Sequence, residues 1–205
     1  MPASHKWIYA SFVFVWIILA IDPKYPEDWL LENVLVFTLF PLVVWLDRKY
    51  RLSLLSLLLL LIFASLHELG AHFTYAEMKF FDPITHFFGF SRNHFDRVVH
   101  FLYGLMLFRP MFEILSRYVR SGGAALLFTF SMIVSISALY EILEWAATMV
   151  FHPDLGIAFL GIQGDVWDAQ KDMLGAIIGA AINALLLKSL YMRAFEKFTA
   201  SRSKE

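Results

Sequence analysis

Six long apolar segments, separated by short polar connections, constrain this chain more than any single motif does. A helix needs about 20 apolar residues to cross a bilayer, and in lipid all of its backbone groups must be paired internally. The chain of 205 residues is 59% hydrophobic and 17% charged, with a mean hydropathy of +0.62. Soluble domains are typically about 45 to 50% apolar and about 25% charged. The sequence therefore predicts an all-α, polytopic membrane protein.

The apolar segments indicate a bundle of six transmembrane helices in a single domain. The predicted helices cover residues 7–21, 30–46, 52–75, 95–118, 124–150 and 165–191. The first segment is short, but no small residues stand at a signal-peptidase spacing before Asp22, which favours a retained helix over a signal peptide. Pro41 and Pro110 are expected to bend the second and fourth helices. Gly175 and Gly179 form a small-xxx-small pair, typical of tight helix packing in the sixth.

Lysine and arginine are distributed unequally between the two sides of these six helices. The N-terminus, the second and fourth connections and the C-terminal tail hold 12 of the 17 basic residues, which predicts cytoplasmic termini in a bacterial inner membrane. Residues 77–93 and 152–164 would then lie outside. We expect the phenylalanine-rich segment 77–93 to lie in the membrane interface, with Asp82 and Pro83 breaking any regular helix there. The outer side carries 14 of the 18 acidic residues and six of the seven histidines, so chemistry is expected there.

Four polar clusters mark the outer ends of the third to sixth helices. Within each cluster, spacings of three, four or seven residues place side chains on one helical face. A charged residue inside a span costs at least ~2.5 to 3.5 kcal/mol and therefore normally faces a bundle interior or a water-filled cavity. We expect the four clusters to converge on one cavity. Their members are His67, Glu68 and His72; His94, Asp96 and His100; Glu141 and Glu144; and Asp165, Asp168 and Asp172.

Charge arithmetic suggests what such a cavity binds. Seven carboxylates in these clusters face two nearby cations, Arg97 and Lys171, which leaves an excess of five negative charges. Crowded carboxylates must be protonated or matched by bound cations. The chain has no cysteine, and a mixture of histidine and carboxylate ligands suits Zn, Mn or Fe, which can activate water. Buried polar pairs that only lock helices together remain the structural alternative.

Candidate roles follow from residue type. His67 and His72 are five residues apart, so HELGAH does not match the H-E-x-x-H signature of zinc proteases. The candidate catalytic carboxylates, as general acids or bases, are Glu68, Glu141 and Asp96. The candidate ligands of a divalent metal are His67, His72, His100, Asp168, Glu144 and Asp172.

Three stretches, DRVVHFLYGLML, YEILEW and GDVWDAQKDMLGAIIGAAINALL, resemble in this order the VanZ-like membrane proteins. With HELGAHFTY upstream, the fuller pattern over residues 66–187 resembles the YjdF-like family of bacterial inner-membrane proteins. The resemblance picks out Asp96, His100, Glu141 and Asp168. Trp145 departs from the VanZ-like pattern, in which a polar residue often stands at this position. Through the association of VanZ with glycopeptide-antibiotic resistance, it implies an envelope setting more than a reaction.

These observations leave three classes of function open. The first is metal-dependent hydrolysis or group transfer on a lipid or lipid-linked envelope substrate; the second is a proton- or cation-coupled transporter; the third is a non-catalytic envelope assembly or binding factor. A transporter needs polar groups that continue toward the cytoplasm, whereas the inner halves of the third, fifth and sixth helices offer only Ser, Thr and Asn183, which favours an enzyme. Membrane lipids are the expected surroundings, and no nucleic-acid partner is expected.

Overall fold

The computed structural model describes residues 2–151 and 165–202, and these residues form helices and short connections without any strand. The all-α class is thereby confirmed. The predicted outer connection 152–164 lies outside the described residues. The helices are α1 (Ala3–Leu19), α2 (Pro26–Tyr50), α3 (Leu54–Phe73), α4 (Asp82–Phe87), α5 (Phe95–Leu115), α6 (Gly122–Phe151), α7 (Asp168–Leu186) and α8 (Lys188–Arg202).

Four of these helices, α2, α3, α5 and α6, are long and apolar enough to cross a membrane. Helices α7 and α8 meet at a bend of 68° and would add a fifth span if they act as one broken segment. Helix α1 is apolar but has only 17 residues, fewer than the roughly 20 that a span needs. The predicted number of six spans is therefore not confirmed.

The predicted last helix, 165–191, is interrupted at Leu187. Across the bend the Tyr191 hydroxyl donates to Asn183 Oδ1 at 2.5 Å, and Asn183 Nδ2 donates to the Leu105 carbonyl of α5 at 2.5 Å. Helix α8 also packs against α6. Tertiary contacts thus hold a bend at a site where no glycine or proline marks one in the sequence. By contrast, α2 and α5 continue through Pro41 and Pro110.

The segment between α3 and α5 is partly helical, contrary to the expectation that Asp82 and Pro83 break regular structure. Two 3₁₀ turns, Tyr75–Glu77 and Lys79–Phe81, lead into α4, which begins at Asp82. Proline is well tolerated in the first turn of a helix because the N–H that it lacks has no partner there in any case. Phe81 is buried, whereas several other phenylalanines of the segment are exposed.

Helices α5 and α7 make the closest contact in the bundle, and two glycines allow it. A Cβ at Gly104 would lie 2.0 Å from the Ala176 carbonyl oxygen, and a Cβ at Gly179 would lie 2.1 Å from the Phe101 carbonyl oxygen. Both obstacles are backbone atoms, which cannot move aside cheaply. This contact brings the first turns of α5 and α7 together, where two of the four polar clusters lie.

Polar side chains join α2, α3, α5, α6 and α7 at one end of the bundle. Helices α3 and α6 end there, and α2, α5 and α7 begin there. We call it the acidic end, and the other the opposite end. The opposite end contains the start of α1 and the end of α2, joined by a contact between His5 and Asp47.

Candidate functional site

Asp168, in the first turn of α7, is the most strongly paired carboxylate of the acidic end. It is buried and accepts two hydrogen bonds from Arg92, at 2.5 and 3.0 Å, and one from Arg97 at 2.8 Å. Two-pronged arginine–carboxylate contacts fix geometry as well as charge. Asp168 was predicted as a metal ligand, but its oxygens already face two guanidinium groups. It is better suited to orienting the arginines than to binding a metal.

Asp165 lies at the rim of the same ion-pair network. It accepts hydrogen bonds from Lys171 and Arg97, each at 2.5 Å. The Lys171 ammonium, followed by the Arg97 guanidinium, lowers the pKa of Asp165. His94 adjoins the network through Arg97, and burial together with that cation lowers the pKa of His94. The cations of the acidic end are thus concentrated on Asp165 and Asp168.

Two further carboxylates, Asp96 and Asp172, lie beside this network without equivalent partners. Asp96, Asp168 and Asp172 each offer an oxygen, and these oxygens lie within 4.8 Å of one another. Asp172 is buried, its Oδ1 accepts no hydrogen bond, and that atom is 4.0 Å from Arg97 Nε. Carboxylates this close together favour a shared cation or proton.

His100 connects α5 to α6 within this group. Its Nε2 lies 3.3 Å from Glu141 Oε1 and 3.7 Å from Asp96 Oδ1. Glu141 Oε1 accepts no hydrogen bond despite this proximity. The structure therefore brings together Asp96, His100, Glu141 and Asp168, the four residues that the family resemblance picked out. Their chemical roles stay predictions.

Glu32, on α2, is a member of the site that the sequence analysis missed. Its Oε2 accepts a hydrogen bond from the Tyr140 hydroxyl at 3.4 Å and lies 3.9 Å from His67 Nε2. The other ring nitrogen of His67 is 2.7 Å from the Tyr75 hydroxyl. Burial, followed by the charge of Glu32, raises the pKa of Tyr75 well above its ordinary value. Tyr75 thus remains a neutral hydrogen-bonding group.

Two cavities meet at these residues. A small one of about 30 Å³ has a wall of acidic and tyrosine side chains, and Glu144, a predicted metal ligand, contributes to it. A larger one of about 350 Å³ extends from the acidic end into the bundle and is mostly apolar. That volume falls within the range of ~300 to 1,000 Å³ that is common for small-molecule sites. Tyr75, Asp96 and Tyr140 line both cavities.

Two predicted site residues face elsewhere. Glu68 is fully buried and accepts a hydrogen bond from Asn33 Nδ2 of α2 at 3.3 Å. His72 Nδ1 lies 2.8 Å from the carbonyl oxygen of Leu19, at the end of α1. The i, i+4 face that these two residues share is turned toward α1 and α2. They join neighbouring helices, and the structure does not bring them to the central group.

The excess of negative charge remains although its members change. Glu32 takes the place of Glu68, which faces α2, and Arg92 adds a third cation, so seven carboxylates and three cations leave an excess of four. Glu32 could have been found by asking what an acidic residue does within an apolar helix. Arg92 could not, because its pairing with Asp168 depends on the path of residues 77–93.

Comparison with known proteins assigns the chain to a family. Residues 4–193 match the family described as "Predicted membrane protein (DUF2238)". The chain is 33% identical over 172 residues to the "Inner membrane protein YjdF" of Escherichia coli (strain K12), an alignment that covers 83% of this chain and 82% of that protein. No solved structure matches it. The YjdF-like resemblance is confirmed, and the VanZ-like resemblance stays a prediction.

These matches and the apolar helices agree on the setting, a bacterial inner membrane that the chain crosses several times. The match to residues 4–193 covers almost the whole chain, including every residue that we place at the acidic end. The chain therefore belongs to the DUF2238 family of membrane proteins.

Proposed function

We propose that this protein is a metal-dependent hydrolase or group transferase that acts on a lipid or lipid-linked substrate of the cell envelope. The observation that carries the proposal is the group of buried carboxylate oxygens without hydrogen-bond donors, which adjoins His100 at the polar end of a mostly apolar cavity. Buried acceptors of this kind are costly unless a cation or substrate engages them.

The donors suit a divalent transition metal. Asp96 and Asp172 offer oxygens within 4.8 Å of each other, and His100 Nε2 adjoins them at 3.7 Å from Asp96 Oδ1. Carboxylate and imidazole donors without thiolates fit Zn, Mn or Fe. This set differs from the predicted one, because His72 lies against α1 and Asp168 is engaged by two arginines. A metal here would supply Lewis acidity toward a carbonyl, phosphoryl or water oxygen.

Glu141 is the best placed general base. Its Oε1 lies 3.3 Å from His100 Nε2 and accepts no hydrogen bond, so the carboxylate is available to accept a proton from a bound water. With Nε2 offered to the metal, His100 would hold the ion beside Glu141, and the proton taken from water would stay on Glu141. Arg92 and Arg97 hold Asp168 and thereby fix the first turn of α7 relative to α5.

We further propose that the acidic end faces the outside, with both termini cytoplasmic, as the positive-inside rule implies for this distribution of lysine and arginine. Reporter fusions that report on the compartment of residues such as Thr85 test this orientation. An active periplasmic reporter at Thr85 supports it, and an active cytoplasmic reporter there overturns it.

Metal analysis of the purified protein tests the enzymatic proposal. We expect about one divalent ion for each wild-type chain, and loss of that ion in Asp172→Asn because an amide replaces an anionic ligand. Glu113→Gln, which changes a buried carboxylate far from the site, is the matched control and should keep the ion. Metal-free wild-type protein whose melting does not change on addition of Zn, Mn or Fe would overturn the proposal.

The transporter is the second candidate, and buried carboxylates at the opposite end are the observation that favours it. Asp47 on α2 and Glu113 on α5 extend polar groups to that side. Both are held by fixed partners, however, and the mostly apolar cavity lies between them and Asp96. Metal-free protein that moves protons across vesicles would favour this candidate, and inactivity in both assays would favour an assembly factor.

A further inference from the structure

The large cavity is amphipathic along its length. Apolar side chains from five helices line most of it, among them Phe12, Val36, Leu61, Val99 and Leu139. Its carboxylate and histidine side chains, Asp96, His67 and His100, lie at the acidic end. A molecule that fills this space must therefore be a hydrocarbon over most of its length and polar at one end.

The cavity opens sideways between α2 and α6. Leu39 of α2 and Leu139 and Leu143 of α6 all line it, yet they are 50%, 53% and 52% exposed. Helix α2 packs closely on α3, and α6 on α5 and α7, whereas the backbones of α2 and α6 make no comparable approach to each other. At the acidic end the hydrogen bond from Tyr140 to Glu32 joins the two helices. The opening thus lies along the helices, on a surface that faces lipid chains.

The position of this opening determines the occupant. Water gains little in an apolar cavity because it finds too few polar partners there. A lipid chain, in contrast, is already present at the opening, and it exchanges one apolar environment for another when it enters. The space is therefore suited to a hydrocarbon chain drawn laterally from the bilayer.

The small cavity indicates the chemistry of the attached polar group. It adjoins the large cavity at Tyr75, Asp96 and Tyr140, and Glu32 and Glu144 complete an acidic lining. Its volume of about 30 Å³ is roughly that of one water molecule in the liquid. The arginines of this end are engaged by Asp168, so a phosphate would meet carboxylates, whereas an ammonium group would meet opposite charges and two tyrosine rings.

We propose that the substrate is an amine-bearing lipid that enters between α2 and α6, places one hydrocarbon chain in the large cavity and presents its amine to Glu32, Asp96 and Glu144. The inference deepens the proposed function and rests on it for the reaction, but chain binding itself requires no metal. It also specifies that the polar end of the substrate is a cation and not a phosphate.

Photolabelling of the full-length protein in phosphatidylcholine nanodiscs tests this inference. The probes are a long-chain amine, alcohol and carboxylic acid of equal length, each with a diazirine at mid-chain, and peptide mass spectrometry locates the label. We expect the amine to label residues that line the large cavity on α2, α3 and α6 more strongly than the alcohol, and the alcohol more strongly than the acid. Labelling should persist in protein stripped of metal, which separates this test from that of the proposed function.

Matched variants make the result specific. Ala64→Phe fills the cavity from α3 and should reduce cavity labelling by about tenfold, whereas the same change at Ala10, exposed on α1 and not part of the lining, should leave it unchanged. Ser137→Leu, from α6, obstructs the cavity independently should Ala64→Phe fail to fold. Glu32→Gln should remove the preference for the amine over the alcohol while alcohol labelling persists.

Two outcomes overturn the inference. Labelling that Ala64→Phe and Ser137→Leu both leave unchanged would show that no chain occupies the cavity. A preference for the acid, or equal labelling by all three probes, would exclude a cationic polar end. Metal binding without cavity labelling would contradict this inference and leave the proposed reaction standing. Cavity labelling without metal binding would contradict only the proposed reaction.

Discussion

Both ends of the bundle bury carboxylates, but they treat them differently. At the opposite end, His5 Nδ1 lies 3.0 and 2.9 Å from the two oxygens of Asp47, and the Tyr9 hydroxyl donates to Oδ2 at 3.2 Å. Both oxygens of Glu113 likewise accept hydrogen bonds from Ser53, and Ser56 adds a third donor at 2.6 Å. These carboxylates have the saturated contacts of a structural network.

At the acidic end, carboxylates with saturated hydrogen bonding and carboxylates without it lie within a few ångströms of each other. Asp168 is saturated by two arginines, yet Oδ1 of Asp172 and Oε1 of Glu141 accept no hydrogen bond. An unsatisfied buried acceptor costs about 1 to 3 kcal/mol, and proteins tolerate it mainly where it serves a function. The difference supports our proposal that the acidic end contains the functional site, whereas the carboxylates of the opposite end stabilise the bundle.

The largest effect is expected at the ion pair that stabilises the acidic end itself. Arg92→Ala leaves Asp168 buried with only Arg97 and should lower the free energy of unfolding by about 3 to 5 kcal/mol, as breaking a buried pair does. Thermal unfolding in detergent measures it, and Arg92→Ala with Asp168→Asn should recover part of the loss. Lys171→Ala, which removes an exposed partner of Asp165, should change stability by only about 0 to 1 kcal/mol. Equal losses of stability in Arg92→Ala and Lys171→Ala would contradict the conclusion that the buried Arg92–Asp168 pair stabilises the acidic end.

A smaller loss is expected at the opposite end. Glu113→Ala deprives the Ser53 N–H and two serine hydroxyls of their acceptor, which should destabilise the protein by about 1 to 3 kcal/mol without affecting metal content. Glu27→Ala, at an exposed position in the first turn of α2, is the matched control for thermal unfolding. If Glu113→Ala melts like this control, the opposite end is not the structural network that we describe.

Asp172→Asn, at the acidic end, should abolish metal binding while leaving the stability of the metal-free protein nearly unchanged. It removes a buried charge whose Oδ1 accepts no hydrogen bond, so the unfolding free energy of the metal-free protein should change by no more than about 1 kcal/mol, or rise. Any stabilisation by added metal should disappear in the variant. A large loss of stability in metal-free Asp172→Asn would mean that the acidic end is structural as well.

The smallest effect concerns pH. Because burial and Arg97 lower the pKa of His94 in the folded protein, the unfolded chain binds this proton more readily. The stability that depends on neutral His94 is therefore present above its unfolded pKa of about 6.5 and declines as the pH falls below that value. Melting temperatures should fall further for wild type than for His94→Gln between about pH 7.5 and about pH 5. Parallel curves would show that His94 does not titrate differently on folding.

The sequence predicted the helical class, four of the spans and the convergence of Asp96, His100 and Glu141, because hydrophobic length and facial spacing are local properties. It did not predict the features that depend on the three-dimensional path of the chain. Neither the pairing of Arg92 with Asp168 nor the bend after Leu187 has a local signal. Facial spacing shows which residues share a face of α3, but it does not show which neighbouring helix that face contacts. It therefore could not show that His72 faces α1 and not α5.

A thermal-shift titration with Zn, Mn and Fe tests the central claim, that the acidic end is a site and the opposite end a scaffold. Wild type and Glu113→Gln should both gain melting temperature as metal is added, because binding to the folded state stabilises it by mass action. Asp96→Asn and Asp172→Asn should show no gain. A gain of equal size in all four proteins, or in none, would contradict the account.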